Sequence, residues 1–501
     1  MKRERKSIIN AIAAVLLTLT NGLLGMLVMN MVIATYGSDF NGLNSVATQV
    51  VGVVLLMEGG MTVATNFALF KPFFMKDYQK VNGILAATYK NFLKIGTAFF
   101  IVSLLVATIY THFINSSLPR SLIFSILIMS FFPAGVNLFY AAKFRIVLQA
   151  DQKEYVISFI SLATISLGHL LNIFLIFQDV PMVSIRIVTM VFSLVNSFLI
   201  GRYVKKKYSF LNFDVLPDFE AIQGSRDVLI QRITGTIYLL FPVIFISLLS
   251  EGGTELVSVF TVYSMVFALL RGVMQGLIDA PRLAFGEMLS VNKKESVWPF
   301  FRLYQLIVFT ALFSILVTVA VLIMPFINIY ASGVVEINYE RPLMALLMVG
   351  IMFFEIIHIP SGHILNMSGK FKISRTIQVI AAVFLTTTMT FGVVLNGVYG
   401  ILLAVLSTAL LLAILEVAYI HLRFFEKKIV SFLKLILPFV TLGIIVGIGQ
   451  HTILPPLSGY LSFFFAGAIL FLTNLLIAIV IGILFNWEDV DIFLKIQCQK
   501  K

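Results

Sequence analysis

Charged residues and cysteines are scarce in this chain of 501 residues. Asp, Glu, Lys and Arg make up 12% of the sequence, whereas 59% of it is hydrophobic. This composition excludes an ordinary soluble enzyme of such length. The single cysteine, Cys498, excludes an internal disulfide and a cysteine-rich metal site. We therefore expect neither a metal nor another cofactor.

Several catalytic motifs are also missing. Ser368-Gly369-Lys370 lacks the upstream glycine of a P-loop, and neither His-Glu-x-x-His nor Gly-x-Ser-x-Gly occurs. These absences argue against a primary pump, a metalloprotease and a serine hydrolase, so we expect a transporter rather than an enzyme. They leave open a membrane glycosyltransferase or polymerase, although predicted outer loops such as 251–255 are short and leave little room for an active site.

Long apolar runs are abundant, and charged residues cluster between them. Fourteen runs are long enough to cross a bilayer. Their approximate limits are 8–35, 43–70, 87–110, 121–142, 154–177, 182–203, 228–250, 255–280, 301–327, 342–365, 374–395, 398–421, 430–450 and 460–486. The first run is too long for a cleavable signal, so we expect it to be retained. The sequence predicts an all-α polytopic membrane protein with about 14 transmembrane helices.

The net charge of +12 is best explained by membrane topology, not by binding to nucleic acid. Of the 36 lysines and arginines, only Arg120, Arg186 and Arg341 fall at predicted outer ends, and Arg271 falls in mid-span. The remaining basic residues fall on one side of the membrane. The positive-inside rule therefore predicts that both termini are cytoplasmic.

Two hydrophobic segments read as copies of one another, the alternative being chance similarity between apolar helices. Six residues recur at one fixed offset: Ser45, Val46, Thr48, Leu56, Gly59 and Met61 correspond to Ser258, Val259, Thr261, Leu269, Gly272 and Met274. We therefore predict parallel six-helix repeats. The predicted division is a first lobe at 1–205, a cytoplasmic linker at 206–227, a second lobe at 228–425, and an additional helix pair with a cytoplasmic tail at 426–501.

At the repeat offset Glu58 becomes Arg271, and both charges fall inside apolar runs. Intramembrane charges are costly and usually face a bundle interior or an aqueous path. We interpret Glu58 as a coupling or gating carboxylate and Arg271 as an anion clamp, because guanidinium binds phosphate oxygens in a bidentate manner. The alternative is that the two residues form a structural ion pair with each other.

Other polar residues are weaker candidates. Arg232, Gln231 and Arg282 lie near the predicted inner face and could extend a basic funnel from Arg271, or they could be ordinary interfacial residues. Glu355 and His358 are three residues apart and share a helix face, which suits either a proton relay or a packed pair. Asn21 and Asn30 face opposite sides of the first span, so only one of them can readily meet a cavity.

These features resemble the polysaccharide transporter branch, the Wzx-type O-antigen and capsule flippases, of the multidrug/oligosaccharidyl-lipid/polysaccharide (MOP) flippase superfamily. The segments that carry the resemblance are the turn Tyr36-Gly37-Ser38-Asp39-Phe40-Asn41-Gly42-Leu43 and the stretch 227–286 with Gln231-Arg232 and Ala280-Pro281-Arg282. The resemblance implies two six-helix lobes around a central cavity lined mainly by spans one, two, seven and eight. Fourteen spans are shared with the lipid II flippase-like branch, where the extra pair forms a groove for a polyprenyl tail.

The resemblance implies a flippase in the bacterial plasma membrane. Its cargo would be an undecaprenyl-diphosphate-linked oligosaccharide, with Arg271, Arg232 and Arg282 holding the diphosphate, and Glu58 or Glu355 with His358 coupling the cycle to an ion gradient. Membrane lipid, a polysaccharide polymerase and chain-length machinery are the expected partners, nucleic acid is not, and two fused lobes predict a monomer. An ion-coupled antiporter for organic cations and a membrane glycosyltransferase or polymerase are the alternatives.

Overall fold

The computed structural model describes residues 3–222, 226–291 and 293–487. Within these ranges every regular element is helical and no strand occurs. Twelve helices in the described ranges are long and apolar enough to cross a membrane. The predicted all-α membrane class is therefore confirmed. Cys498 and most of the predicted C-terminal tail lie outside the described residues.

The helices follow one another with short connections. Those of the first half are α1 (Arg3–Val54), α2 (Met61–Met75), α3 (Tyr78–Phe113), α4 (Arg120–Val136), α5 (Ala142–Ala150), α6 (Glu154–Phe177), α7 (Met182–Lys207) and α8 (Arg226–Leu249). Those of the second half are α9 (Gly253–Asp279), α10 (Arg282–Val291), α11 (Lys294–Tyr330), α12 (Pro342–Met367), α13 (Phe371–Ala418), α14 (Val430–Ile453) and α15 (Tyr460–Phe485). Apolar side chains dominate the buried positions, as expected for helices that pack in a lipid environment.

Two of the helices are long enough for two bilayer crossings. α1 has 52 residues and α13 has 48, whereas about 20 residues span a bilayer. The backbone leaves the helical region at Gly37 (φ 87°, ψ 166°) in α1 and at Gly397 (φ 55°, ψ −132°) in α13. Glycine adopts these conformations without a steric penalty. Each long helix is thus two segments joined at a kink, and the number of fourteen crossings stays a prediction.

The chain divides by packing into two compact units, Met1–Thr261 and Val262–Lys501. The first unit extends beyond the predicted linker at 206–227 because the start of α9 is hydrogen-bonded to α1. The buried carboxylate of Asp39 accepts a hydrogen bond from the Thr254 hydroxyl, and the Asn41 amide donates to Ser258 Oγ at 2.7 Å. The predicted lobe and linker boundaries stay a prediction.

Candidate functional site

Glu58 lies at a break in the helical path. A single 3₁₀ turn, Leu55–Glu58, follows α1, and α2 begins at Met61. Between them Gly59 and Gly60 have φ values of 61° and 75°, a left-handed conformation that glycine adopts readily. The predicted span 43–70 is therefore interrupted near its midpoint. Such an interruption leaves backbone N–H groups at the start of α2 available for an anionic side chain.

The Glu58 carboxylate is bound from two sides. Its Oε1 accepts a hydrogen bond from the backbone N–H of Thr62 at 3.1 Å and another from the Thr62 hydroxyl. Its Oε2 lies 3.0 Å from a terminal nitrogen of Arg232 in α8. A carboxylate at a helix N-terminus is stabilised by the helix dipole as well as by these hydrogen bonds. Glu58 is therefore a fixed negative charge beside Arg232, whose side chain is 40% exposed.

Arg271 has its own carboxylate partner. It lies in α9, and its terminal nitrogen is 3.1 Å from Glu355 Oε2 of α12. The two side chains are 33% and 11% exposed. Glu58 and Arg271 therefore each pair with a residue of their own unit. The ion pair between them that the sequence left open stays a prediction. The repeat also differs locally, since α9 continues as a helix past Arg271 whereas the path is broken after Glu58.

His358 pairs with a residue that the sequence analysis missed. Its Nδ1 lies 2.9 Å from Glu416 Oε2 of α13, and the Glu416 side chain is 4% exposed. Gly362 leaves room for this carboxylate, because a Cβ there would lie 2.7 Å from Glu416 Oε2. The detectable signal was a carboxylate inside the apolar run 409–418, which by default marks a functional or structural site. Glu355 and His358 thus reach two different partners from one face of α12.

Arg282 lies at the start of α10, where it is 46% exposed and 3.7 Å from Asp279. The same carboxylate lies 3.4 Å from His363 Nε2. The Tyr304 hydroxyl lies 3.2 Å from the other ring nitrogen of His363 and donates to the Ile278 carbonyl at 2.8 Å. Arg282 therefore belongs to a second titratable cluster at the C-terminal end of α9, separate from the Arg271–Glu355 pair.

The amide candidates are placed differently. Asn21 lines a cavity of about 550 Å³ inside the first unit, and its Oδ1 lies 3.2 Å from His169 Nε2. Asn30 is half-buried on α1 and Gln231 is half-buried on α8 beside Arg232. The substrate-binding roles assigned to these three residues stay predictions.

The second unit contains an apolar groove of about 530 Å³. Side chains of α11, α12 and α14 line it, among them Phe313, Val317, Phe353, Val440, Gly443 and Gly447. His451 is the one titratable residue among the described lining residues. Asn474 of α15 holds the helix pair in place, because it donates to Thr318 Oγ1 at 2.9 Å and accepts from Gln450 at 2.7 Å.

Solved membrane transporters share this arrangement of helices. The lipid II flippase MurJ in an inward closed conformation aligns with a TM-score of 0.69 at 14% identity, over 95% of this chain and 99% of that chain. The MATE multidrug transporter DinF-BH aligns with a TM-score of 0.61 at 16% identity, over 85% and 96%. An inward-facing multidrug resistance MATE family transporter of the MOP superfamily gives 0.59 at 15%, over 84% and 95%.

Comparisons with protein-family models and with curated proteins find no match. Identities of 14% to 16% establish similarity of fold and leave the activity to be argued from the site. The described residues form twelve apolar helices of membrane-spanning length. The chain is therefore a multi-pass membrane protein with the fold of MOP-superfamily transporters.

Proposed function

We propose that this protein is a flippase for an undecaprenyl-diphosphate-linked oligosaccharide, which it moves from the cytoplasmic to the outer leaflet of a bacterial plasma membrane for surface polysaccharide assembly. The observation that carries the proposal is the partial exposure of Arg232 and Arg271. Each guanidinium lies in an apolar helix and is paired with a carboxylate, yet 40% and 33% of the respective side chains remain exposed. Guanidinium groups placed in this way suit the oxygens of a diphosphate.

The two ion pairs suggest how cargo and ion could be coupled. A diphosphate that binds Arg232 or Arg271 competes with Glu58 or Glu355 for the same N–H groups. A carboxylate displaced from its guanidinium leaves an unpaired negative charge in the site, which attracts a cation. Loading of the headgroup would thereby promote binding of a coupling cation.

The apolar groove of the second unit supports a lipid-linked cargo. Its lining is almost entirely aliphatic and aromatic, with His451 as the titratable exception among the described residues. Such a surface offers few hydrogen-bond partners to a sugar but suits the hydrocarbon of a polyprenyl tail. We propose that the tail lies along α11, α12 and α14 while the diphosphate binds Arg271 of the same unit.

A flipping assay in proteoliposomes tests the proposal. The probe is a fluorescent undecaprenyl-diphosphate oligosaccharide whose outer-leaflet fraction is quenched by dithionite. We expect Arg271→Ala to slow flipping by about tenfold or more, because a hydrogen bond to a charged group contributes about 1.5–3 kcal/mol. Arg271→Lys should retain part of the rate, since lysine keeps the charge but not the planar fork. The exposed Arg423 provides a control, and Arg423→Gln should flip normally.

The alternatives give different outcomes in the same vesicles. A wild-type flipping rate in Arg271→Ala would refute the role of Arg271 in binding the diphosphate. Accumulation of a cationic dye, with no movement of the lipid, would favour the organic-cation antiporter. Elongation of the saccharide without a change of leaflet would favour a glycosyltransferase or polymerase.

A further inference from the structure

The cavity of about 550 Å³ in the first unit has a basic lining, distinct from both ion pairs described above. It is lined by residues of α1, α4, α6 and α7 together with Leu55, with Asn137 and with Arg145 of α5. Among its described lining residues Arg145 is the only one with a permanent charge, and Asp and Glu are absent from them. The other polar groups of the lining are amides, hydroxyls and the ring of His169.

Arg145 is held in place by neutral groups and retains an unused donor. One of its terminal nitrogens donates to Asn196 Oδ1 at 2.7 Å. The Asn196 amide is itself fixed, because its nitrogen donates to Ser161 Oγ at 3.0 Å and to Thr164 Oγ1 at 2.9 Å. The Arg145 Nε is fully buried and has no hydrogen-bond partner among the described protein atoms. The network therefore orients a cationic N–H group without neutralising it.

A second guanidinium lies behind the cavity wall. Arg186 of α7 donates to the hydroxyl of Ser130, with Nε at 3.0 Å, and Ser130 lines the cavity. Within the described residues, the hydrogen bonds of Arg145 and Arg186 go to amide and hydroxyl oxygens, and neither residue forms an ion pair with a carboxylate. A buried charge without a partner of opposite sign is strongly destabilising. The guanidinium groups of Arg145 and Arg186 both add to the positive potential of the cavity.

We infer that this cavity binds a small monovalent inorganic anion, of the size of a halide, at the guanidinium group of Arg145. Such an ion supplies the missing negative charge, and its radius leaves room for accompanying water in the cavity. A monovalent ion is preferred because a divalent ion costs more to strip of its water. The inference goes beyond the proposed function, because it concerns neither the lipid-linked cargo nor the pairs of Glu58 and Glu355.

Two buried amide oxygens in the lining do not decide the sign of the bound ion. The Oδ1 atoms of Asn137 and Asn172 lack hydrogen-bond partners in the described structure. Rotation of an asparagine amide by 180° exchanges its oxygen and nitrogen, so the sign of the bound ion is decided by the charged residues of the lining. A hard metal cation instead prefers carboxylate oxygens and would be repelled by Arg145. The lining chemistry therefore favours an anion.

Thermal unfolding of the purified full chain tests the anion site. The protein is melted in gluconate buffer at constant ionic strength while chloride or bromide replaces gluconate. Because a ligand that binds only the folded state raises the unfolding temperature with its concentration, the wild-type midpoint should rise with halide. Arg145→Gln should weaken the apparent halide affinity by about tenfold or more. Lys143→Gln should keep the full response, since the Lys143 ammonium lies over the Tyr89 ring at 3.3 Å.

Three results would overturn the inference. The first is an equal wild-type unfolding midpoint in chloride, bromide and gluconate. The second is an undiminished halide response in Arg145→Gln. The third is a midpoint that changes when N-methylglucamine replaces sodium and not when gluconate replaces the halide. If Arg145→Gln does not fold, Arg145→Lys replaces it, because lysine keeps the charge but lacks the guanidinium group and should bind halide more weakly. The position of the anomalous bromide peak in soaked crystals gives an independent readout. Since these measurements do not involve flipping, their failure is separable from failure of the proposed function.

Discussion

Glu58 accepts a hydrogen bond from the first turn of α2 and lies 3.0 Å from Arg232 of α8. One carboxylate thereby joins a helix start to a guanidinium that is 40% exposed. The cap holds the carboxylate in place whether or not the arginine stays bound, so the guanidinium can exchange Glu58 for another anion without loss of the helix break. In the proposed function, the contact with Thr62 would hold Glu58 in place while the contact with Arg232 could be exchanged for one with the cargo.

The first prediction concerns the two contacts of Glu58, one with Thr62 and one with Arg232. Glu58→Gln keeps an oxygen for the Thr62 N–H but loses the charge, so the free energy of unfolding should fall by no more than about 1 kcal/mol, as for a partly exposed ion pair. Flipping should nevertheless lose its dependence on an imposed ion gradient. Glu58→Ala removes the cap as well and should lose about 1–2 kcal/mol. Denaturant unfolding and gradient-driven flipping measure the two effects.

Glu287, which is exposed on α10, offers the matched control. Glu287→Gln should leave both the unfolding free energy and the gradient dependence at wild-type values. A Glu58→Gln protein that still responds fully to the gradient would remove Glu58 from the coupling role and leave Glu355 as the candidate.

The helical class was predictable because it depends on a local property. Apolar runs of about 20 residues indicate a membrane helix without knowledge of any neighbour, and the structure has such helices throughout its described ranges. Helix breaks are harder to predict from the sequence, since Gly37 and Gly397 leave the helical region whereas Gly272 stays within α9. A glycine permits a left-handed conformation, but tertiary packing decides whether the chain adopts it.

The candidate site was predictable only in part. Intramembrane charge identified Glu58, Arg271 and Glu355 from the sequence. Their ion-pair partners could not be predicted from the sequence, because the Arg271–Glu355 pair joins residues 84 positions apart and depends on how α9 packs against α12. Glu416 was missed although it too is an intramembrane carboxylate, since its role depends on the approach of His358 from another helix.

The second prediction concerns the pair of His358 and Glu416. Gly362→Ala would place a Cβ 2.7 Å from Glu416 Oε2 and force the carboxylate away from its present position. We expect the flipping rate to fall several-fold and its pH dependence to change, because the Glu416 oxygen that pairs with His358 has to move. Rates measured across a pH series in proteoliposomes give both quantities.

Gly276 of α9 is the control for this substitution, because a Cβ there meets nothing within 4 Å. Gly276→Ala should retain the wild-type rate and pH profile. If Gly362→Ala does the same, then the close approach of Glu416 has no part in transport.

The third prediction concerns Asp39 in the first unit. Its carboxylate accepts hydrogen bonds from Ser116 Oγ and the Ser117 N–H, both at 2.7 Å, and from the Thr254 hydroxyl. Asp39→Asn replaces one acceptor oxygen by a donor, so at least one of these donors loses its partner. We expect a loss of about 1–3 kcal/mol in the free energy of unfolding.

The accessibility of this region should change as well. A cysteine introduced at Ser258, in a chain with Cys498→Ser, should react faster with a membrane-impermeant maleimide when Asp39→Asn is present, because the attachment of α9 to α1 is weakened. Glu251 is exposed in the neighbouring connection, and Glu251→Gln should alter neither stability nor labelling. Unchanged labelling in Asp39→Asn would show that the Asp39 hydrogen bonds do not control access.

The fourth prediction tests the apolar groove with two glycines of one helix. Gly447 lines the groove, and a Cβ there would meet Val317 at 3.8 Å, whereas a Cβ at Gly449 meets nothing within 4 Å. Gly447→Leu should fill part of the groove and slow the flipping of a long polyprenyl probe by several-fold, while a probe with a short tail moves at the wild-type rate. Gly449→Leu adds the same side chain two residues away and should affect neither probe. Equal slowing of both probes by Gly447→Leu would mean that the substitution disturbs the packing of α14 and does not obstruct a lipid tail, and the groove would then lose its assigned occupant.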